Sequence, residues 1–230
     1  MKTALLTANY NDILCQNVRE SFQHAAERWG AEYVEATREN HPIKLHPATT
    51  KLEVFHLTDA DAVFIIDADA IIRSDCPNPF ETLPAGHFSA VGLSPRVDPG
   101  GDILSCGNDY EWGLMLALPG VEYMPADGWN YFNSGVMLAY REQHKAAMDL
   151  AYSICKIPNA LGWIDQTPIN YACKLLGVDV HWADERWNYI HGCTLGADWM
   201  TMHSYQPGAW IYHFAGECGR EIMLPKIQWK

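Results

Sequence analysis

Two aspartates spaced by one residue, Asp67 and Asp69, follow directly on the apolar run Val63-Phe64-Ile65-Ile66. Residues two apart on extended chain point to the same side, so both carboxylates can converge on one ion. Two hard oxygen donors suit Mg²⁺ or Mn²⁺, ions that characteristically bridge to substrate phosphates. Four unbroken apolar residues read as a strand buried on both faces. In an open α/β sheet, ligands sit just outside the carboxyl ends of the strands, where this pair falls.

Other residues combine polarity with an apolar setting. Asn133 interrupts the strand-like run 131–139 with an amide that both donates and accepts, as suits a hydroxyl-bearing ligand. A polar group there needs a partner, since leaving it without one costs about 1–3 kcal/mol. Asp165 precedes Gln166 at the head of a helical pattern and is placed to cap that helix. Gln166 is uncharged and no strong nucleophile; its amide can act only by hydrogen bonding or by stabilising charge. Tyr10 closes the first apolar run, and its ring can stack on a base. Eight of nine tryptophans stand at or beyond Trp112; most suit a core, while Trp129, Trp163 and Trp199 fall in loop-like stretches where an indole face can meet a ligand.

The elements that must position these groups alternate. Thr3–Ala8, Glu32–Ala36 and Ala62–Ile66 read as strands. Between them lie helical patterns. The first carries Val18, Phe22, Ala25, Ala26 and Trp29 and is stopped by Gly30; the second covers residues 47–57. This alternation predicts an α/β fold with a central, mostly parallel sheet flanked by helices. Further along, 88–93, 131–139, 178–182 and 210–214 read as strands, and 109–117, Arg141–Cys155 and 165–176 as helices. Residues 94–107 read as a Pro/Gly-rich loop. No repeat or linker divides the 230 residues, so a single domain is expected.

Composition narrows the partners. Lys and Arg number 16 against 28 Asp and Glu, a formal charge of −12, which leaves no basic footprint for nucleic acid. The seven cysteines show no C-x-x-C spacing and read as reduced thiols, the usage of a cytoplasmic protein. The N-terminal apolar run is too short for a signal peptide, and no stretch is long enough to span a bilayer.

Taken in order, several blocks resemble the GT-A glycosyltransferases, most closely the retaining family 8 that includes glycogenin and bacterial galactosyltransferases. Thr7-Ala8-Asn9-Tyr10 is similar to the family's nucleotide-binding turn, and Lys51, 16 residues before Asp67, stands where the family places a donor-contacting base. Asp67-Ala68-Asp69 is similar to its metal motif, and Phe132-Asn133-Ser134-Gly135-Val136-Met137-Leu138 to its sugar-contacting strand. Asp165-Gln166 resembles its Asp-Gln pair, and His213-Phe214-Ala215-Gly216 its closing block, whose histidine is the third metal ligand. The resemblance implies a GT-A fold with a Rossmann-like N-terminal half, residues 1–95 for the nucleotide and 96–230 for sugar and acceptor. It further implies transfer, with retention, from a UDP-sugar to a hydroxyl of a carbohydrate or glycoprotein. Mn²⁺ or Mg²⁺ would be held by Asp67, Asp69 and His213. Donor contacts would come from Thr7, Ala8, Asn9, Tyr10, Lys51, Asp67, Ala68, Asn133, Ser134, Gly216 and Arg220, and catalysis from Asp165 and Gln166.

The pattern departs from the family at Gly219, where the family carries Lys; the cation here is the next residue, Arg220. A catalytically weak nucleotide-sugar-binding module is one alternative. A phosphatase of the haloacid dehalogenase type is another, in which the first aspartate would be a covalent nucleophile. The phosphatase pattern puts Gly-Thr after its aspartates, where this chain has Ala70-Ile71. A sugar-1-phosphate nucleotidyltransferase would carry a Gly-rich basic loop in place of Asn9-Tyr10-Asn11-Asp12.

Overall fold

The computed structural model describes residues 1–10, 16–42, 45–92, 118–122, 131–157, 165–190 and 208–214. Its main sheet has six strands: β1 (Thr3–Ala8), β2 (Glu32–Ala36), β3 (Ala62–Ile66), β5 (Phe88–Gly92), β6 (Phe132–Tyr140) and β7 (Val180–Trp182), in the order β2-β1-β3-β6-β5-β7. Strand β6 is antiparallel to both neighbours, and all other pairings are parallel. A smaller sheet joins β4 (Ala70–Ile72), β9 (Ile211–His213) and β8 (Tyr189–Ile190), in that order.

Strict alternation along the buried strands decides which core each side chain enters. Leu5, Phe64, Ile66 and Leu138 pack with Phe22 and Trp29 of helix α1 (Gln16–Trp29) and with Ile71, Ile211 and Tyr212 of the small sheet. Leu6, Val63, Ile65 and Met137 face the other way, onto α4 (Arg141–Cys155) and α5 (Gln166–Leu175), among Met148, Ala151 and Ile169. Each such large side chain contributes about 1.5–3 kcal/mol on burial. Trp29 meets Phe64 edge-on at 5.7 Å, and Phe64 meets Trp187 at 6.0 Å, so these two tryptophans serve the core.

The alternating pattern predicted from sequence is present. The segment 47–57 is not one α-helix: Pro47–Glu53 winds as 3₁₀ and only Val54–Leu57, α2, is α-helical. Pro47, Thr49 and Thr50 are weak helix formers, and the tighter winding of this run carries the buried Lys51. The sequence reading also missed β4, β8 and the short helix α3 (Pro79–Thr82). The expected loop 94–107 and helix 109–117 lie outside the described residues, as do Gly216, Arg220, Trp129, Trp163 and Trp199.

Candidate active site

Strand reversal builds the site. Because β6 runs against β3, its first residues lie beside the last residues of β3: Ile66 pairs with Val136, and the Asp67 N–H donates to the Gly135 carbonyl at 2.8 Å. Asn133, Ser134 and Gly135 thus border the aspartate pair. Strand β4 follows Asp69 at once and pairs antiparallel with β9, matching Ala70 to His213. The Phe214 N–H donates to the Asp69 carbonyl at 2.8 Å, closing the ring of backbone around the site. Since β1 lies parallel beside β3, Thr7 to Tyr10 open on the same sheet edge.

Asp67, Asp69 and His213 each offer a ligand atom within 4.8 Å of the others. His213 Nε2 lies 3.3 Å from Asp69 Oδ1 and 3.7 Å from Asp67 Oδ2. Neighbouring ligands on an octahedral ion with bonds of about 2.1 Å stand about 3 Å apart, so a divalent cation fits with little adjustment. The histidine is seated tightly: a Cβ at Gly135 would fall 2.1 Å from its Cε1.

Lys51 lies beneath this group, 3% exposed. Its ammonium donates to Asp67 Oδ1 at 2.5 Å and the Ser134 carbonyl at 3.1 Å, and lies 3.0 Å from Asp165 Oδ2. Those three acceptors match its three N–H donors. Burial alone would lower the lysine pKa, but Asp165 and Asp67 outweigh it and hold it above the ordinary value. Asp67, with 31% of its side chain exposed, is pushed up by desolvation and by the nearby Asp69 and Asp165, against the pull of Lys51 and His213. Three carboxylates around one ammonium carry a formal excess of two negative charges beside an imidazole, which one divalent cation would balance.

Asp165 behaves differently from expectation. It precedes α5, yet its side chain makes no capping bond; it accepts from Ser134 Oγ at 2.6 Å and from Lys51. A buried ammonium attracts a carboxylate more strongly than a neutral amide does. Gln166 turns its carbonyl to β6, where Oε1 accepts from Asn133 Nδ2 at 2.9 Å and the Ser134 N–H at 3.2 Å. Both lone pairs are occupied, so in this arrangement the oxygen faces the strand and not a sugar. Asn170, fully buried, brackets Phe132 by accepting from its N–H and donating to its carbonyl, which fixes α5 against β6.

The N-terminal turn is tied to its surroundings. Asn9 donates to Glu35 Oε1 at 2.9 Å, and Glu35 also binds Arg19 and Tyr33. The Tyr10 hydroxyl donates to the His41 carbonyl at 3.0 Å, and the residue is 5% exposed, covered by protein. Thr7 is fully buried, its hydroxyl without a partner among the described residues. Ala8 and Ala68 flank the edge without polar side chains.

Sequence reading missed Asn188, which is buried and joins His213 to Asn133 through its amide. Its signal was the one used for Asn133, a polar residue inside an apolar stretch, Trp187-Asn188-Tyr189-Ile190.

The sequence matches no protein-family model and no curated protein. Solved structures do match. The galactosyltransferase LgtC, in complex with donor and acceptor sugar analogues, aligns with a TM-score of 0.54 and 14% identity over 93% of this chain and 87% of that one. A glycosyltransferase involved in glycosylation of the major capsid of PBCV-1 aligns at 0.59 and 10% identity over 96% of both chains. The fold is that of the GT-A glycosyltransferases. Apo mouse xyloside xylosyltransferase 1 shares it at a TM-score of 0.51 and 14% identity, over 96% of this chain and 100% of that one. At such identities the likeness is one of fold, and the chemistry of this GT-A chain rests on its own residues.

Proposed function

We propose that this protein is a metal-dependent glycosyltransferase that moves a sugar from a nucleoside diphosphate donor, UDP-linked, to an acceptor hydroxyl with retention. The observation that carries this reading is the triad Asp67, Asp69 and His213, within 4.8 Å and bordered by Asn133, Ser134, Asp165 and Gln166 on a GT-A fold. Mn²⁺ or Mg²⁺ bound there would supply Lewis-acid neutralisation of the departing diphosphate.

The chain's own groups orient the reactants. Thr7 to Tyr10 line the edge where a nucleotide would lie, with Ala8 and Ala68 leaving room for close approach. Lys51 lies against both Asp67 and Asp165 and offsets part of the repulsion among the carboxylates that crowd the pocket. Gly216 and Arg220, soon after His213 in the chain, are assigned to the diphosphate, where a guanidinium binds two oxygens at once. Asn133, Asp165 and the amide nitrogen of Gln166 are assigned to the sugar. In the transfer the bond from anomeric carbon to diphosphate oxygen breaks, and one to the acceptor oxygen forms. The acceptor's proton passes to the leaving diphosphate or to solvent. LgtC was solved with both donor and acceptor sugar analogues, in keeping with a sugar acceptor here.

Calorimetric titration of UDP with and without Mn²⁺, on the wild type and on Asp69→Ala, tests the reading. Mn²⁺-dependent binding that disappears in the variant supports it and directs a screen of UDP-sugars for turnover. Binding of GDP or CDP in place of UDP changes the donor. Failure of all three overturns the proposal, and binding without turnover or donor hydrolysis leaves a sugar-nucleotide-binding module.

A further inference from the structure

Asn188 lies between the 3₁₀ turn Glu185–Trp187 and β8, with no solvent exposure. Its amide bridges two site residues, 2.9 Å from Asn133 Oδ1 and 3.0 Å from His213 Nδ1. Amide and imidazole groups can each be turned round, so such a bridge alone does not say which atom holds the proton. Two backbone N–H groups remove the ambiguity, because they can only donate. The Gly135 N–H points at Asn133 Oδ1 at 2.8 Å, which makes that atom the carbonyl oxygen. Asn188 must then offer its NH₂ to Asn133, and its own oxygen faces His213. An oxygen there requires a hydrogen on Nδ1. The other end of the chain agrees: the Ser134 N–H fixes the Gln166 oxygen, which accepts the NH₂ of Asn133.

The consequence falls on Nε2. It faces Asp69 Oδ1 at 3.3 Å and Asp67 Oδ2 at 3.7 Å, two carboxylates that would themselves draw a hydrogen onto it. A neutral imidazole with its hydrogen on Nε2 keeps its lone pair on Nδ1, turned away from the carboxylates, and has none on Nε2 to give a cation held by them. Asn188 opposes that competing tautomer, and it is held to the task by Gly135 and Ser134. We infer that Asn188 is a positioning residue: through a one-way chain of amides anchored on backbone N–H groups, it keeps the Nε2 lone pair of His213 turned to Asp67 and Asp69, ready for a divalent cation. Its benefit to a cation rests on the function proposed above; the tautomer assignment rests only on hydrogen-bond direction.

Nitrogen NMR of metal-free protein carrying ¹⁵N-histidine tests this, at a pH where the ring is neutral, with His213→Gln used to assign the signal. The wild type is expected to show His213 protonated on Nδ1. Asn188→Ala should move the hydrogen wholly or partly to Nε2 and weaken Mn²⁺ binding, read by calorimetry, by about 10–100-fold. Asn188→Asp still accepts from Nδ1 and should keep the wild-type tautomer, which a merely structural role would not require. A wild-type proton on Nε2 overturns the inference without any variant. So does Asn188→Ala with tautomer and Mn²⁺ affinity both unchanged. If UDP, GDP and CDP all fail to bind while the tautomer follows Asn188, the transferase reading falls and this inference stands.

Discussion

Gly135 and His213 fit against each other so closely that the Cβ of an alanine at 135 would lie 2.1 Å from Cε1 and 2.6 Å from Nδ1 of the ring. The same Cβ would meet Asn133 Oδ1 at 2.8 Å. The glycine is required by this contact and not by its backbone angle. Gly135→Ala should therefore displace His213 from the carboxylates, weaken Mn²⁺ at least tenfold, and cost about 1–3 kcal/mol of stability as overpacking does. Calorimetry with Mn²⁺ and a denaturant melt check both parts.

Asp69 is the carboxylate nearest the His213 lone pair and is almost fully buried. If a bound cation supplies about 4 kcal/mol to the transition state, Asp69→Ala slows transfer roughly a thousandfold. Unchanged turnover with an intact circular dichroism spectrum would sink the metal assignment.

Lys51 is the only cation bonded to both Asp67 and Asp165 among the described residues. Lys51→Met leaves the two carboxylates facing each other and should cost about 3 kcal/mol or more, read by urea unfolding at neutral pH. The sign with pH is set by its raised pKa. A lysine raised in the fold contributes fully below its unfolded value and loses that contribution only as pH rises through the folded one. The difference between wild type and variant should thus persist through mildly alkaline pH.

His144 provides a pH dependence far from the site. Its Nδ1 accepts the Tyr140 N–H at 2.8 Å, and burial, with His87 nearby, pushes its pKa down to about 4. A histidine depressed in the fold stabilises fully above its unfolded value near 6.5 and loses that contribution as pH falls toward the folded value. Acidification from pH 7 to 5 should cost about 2 kcal/mol through this residue. His144→Gln should flatten that part of a stability-against-pH curve measured by chemical unfolding.

Much of the site was legible because its cues are local. A four-residue apolar run ending in Asp67 and Asp69 can only be a buried strand opening on a polar edge. Asn133 was visible because a polar residue within an apolar strand demands a partner. Gln166 was visible as a residue type, but the direction of its amide was not, since that depends on the backbone N–H of Ser134. The capping role expected of Asp165 failed for the same reason: a buried lysine far away in sequence competes for the carboxylate.

By itself, then, the sequence determined the α/β alternation, the strand that presents the aspartates and the identities of most groups around them, because apolar period and chain breakers act over a few residues. The tertiary structure alone decided that β6 runs backwards, since a strand buried on both faces reads alike in either direction. The strand at 210–214 and the family resemblance pointed to His213, but its seat beside Asp69 comes from the pairing of that strand with β4, whose three residues are too short a run to read from the sequence. And the tertiary structure alone made Asn188 part of the site, because the direction of a hydrogen bond exists only once donor and acceptor have been folded into contact.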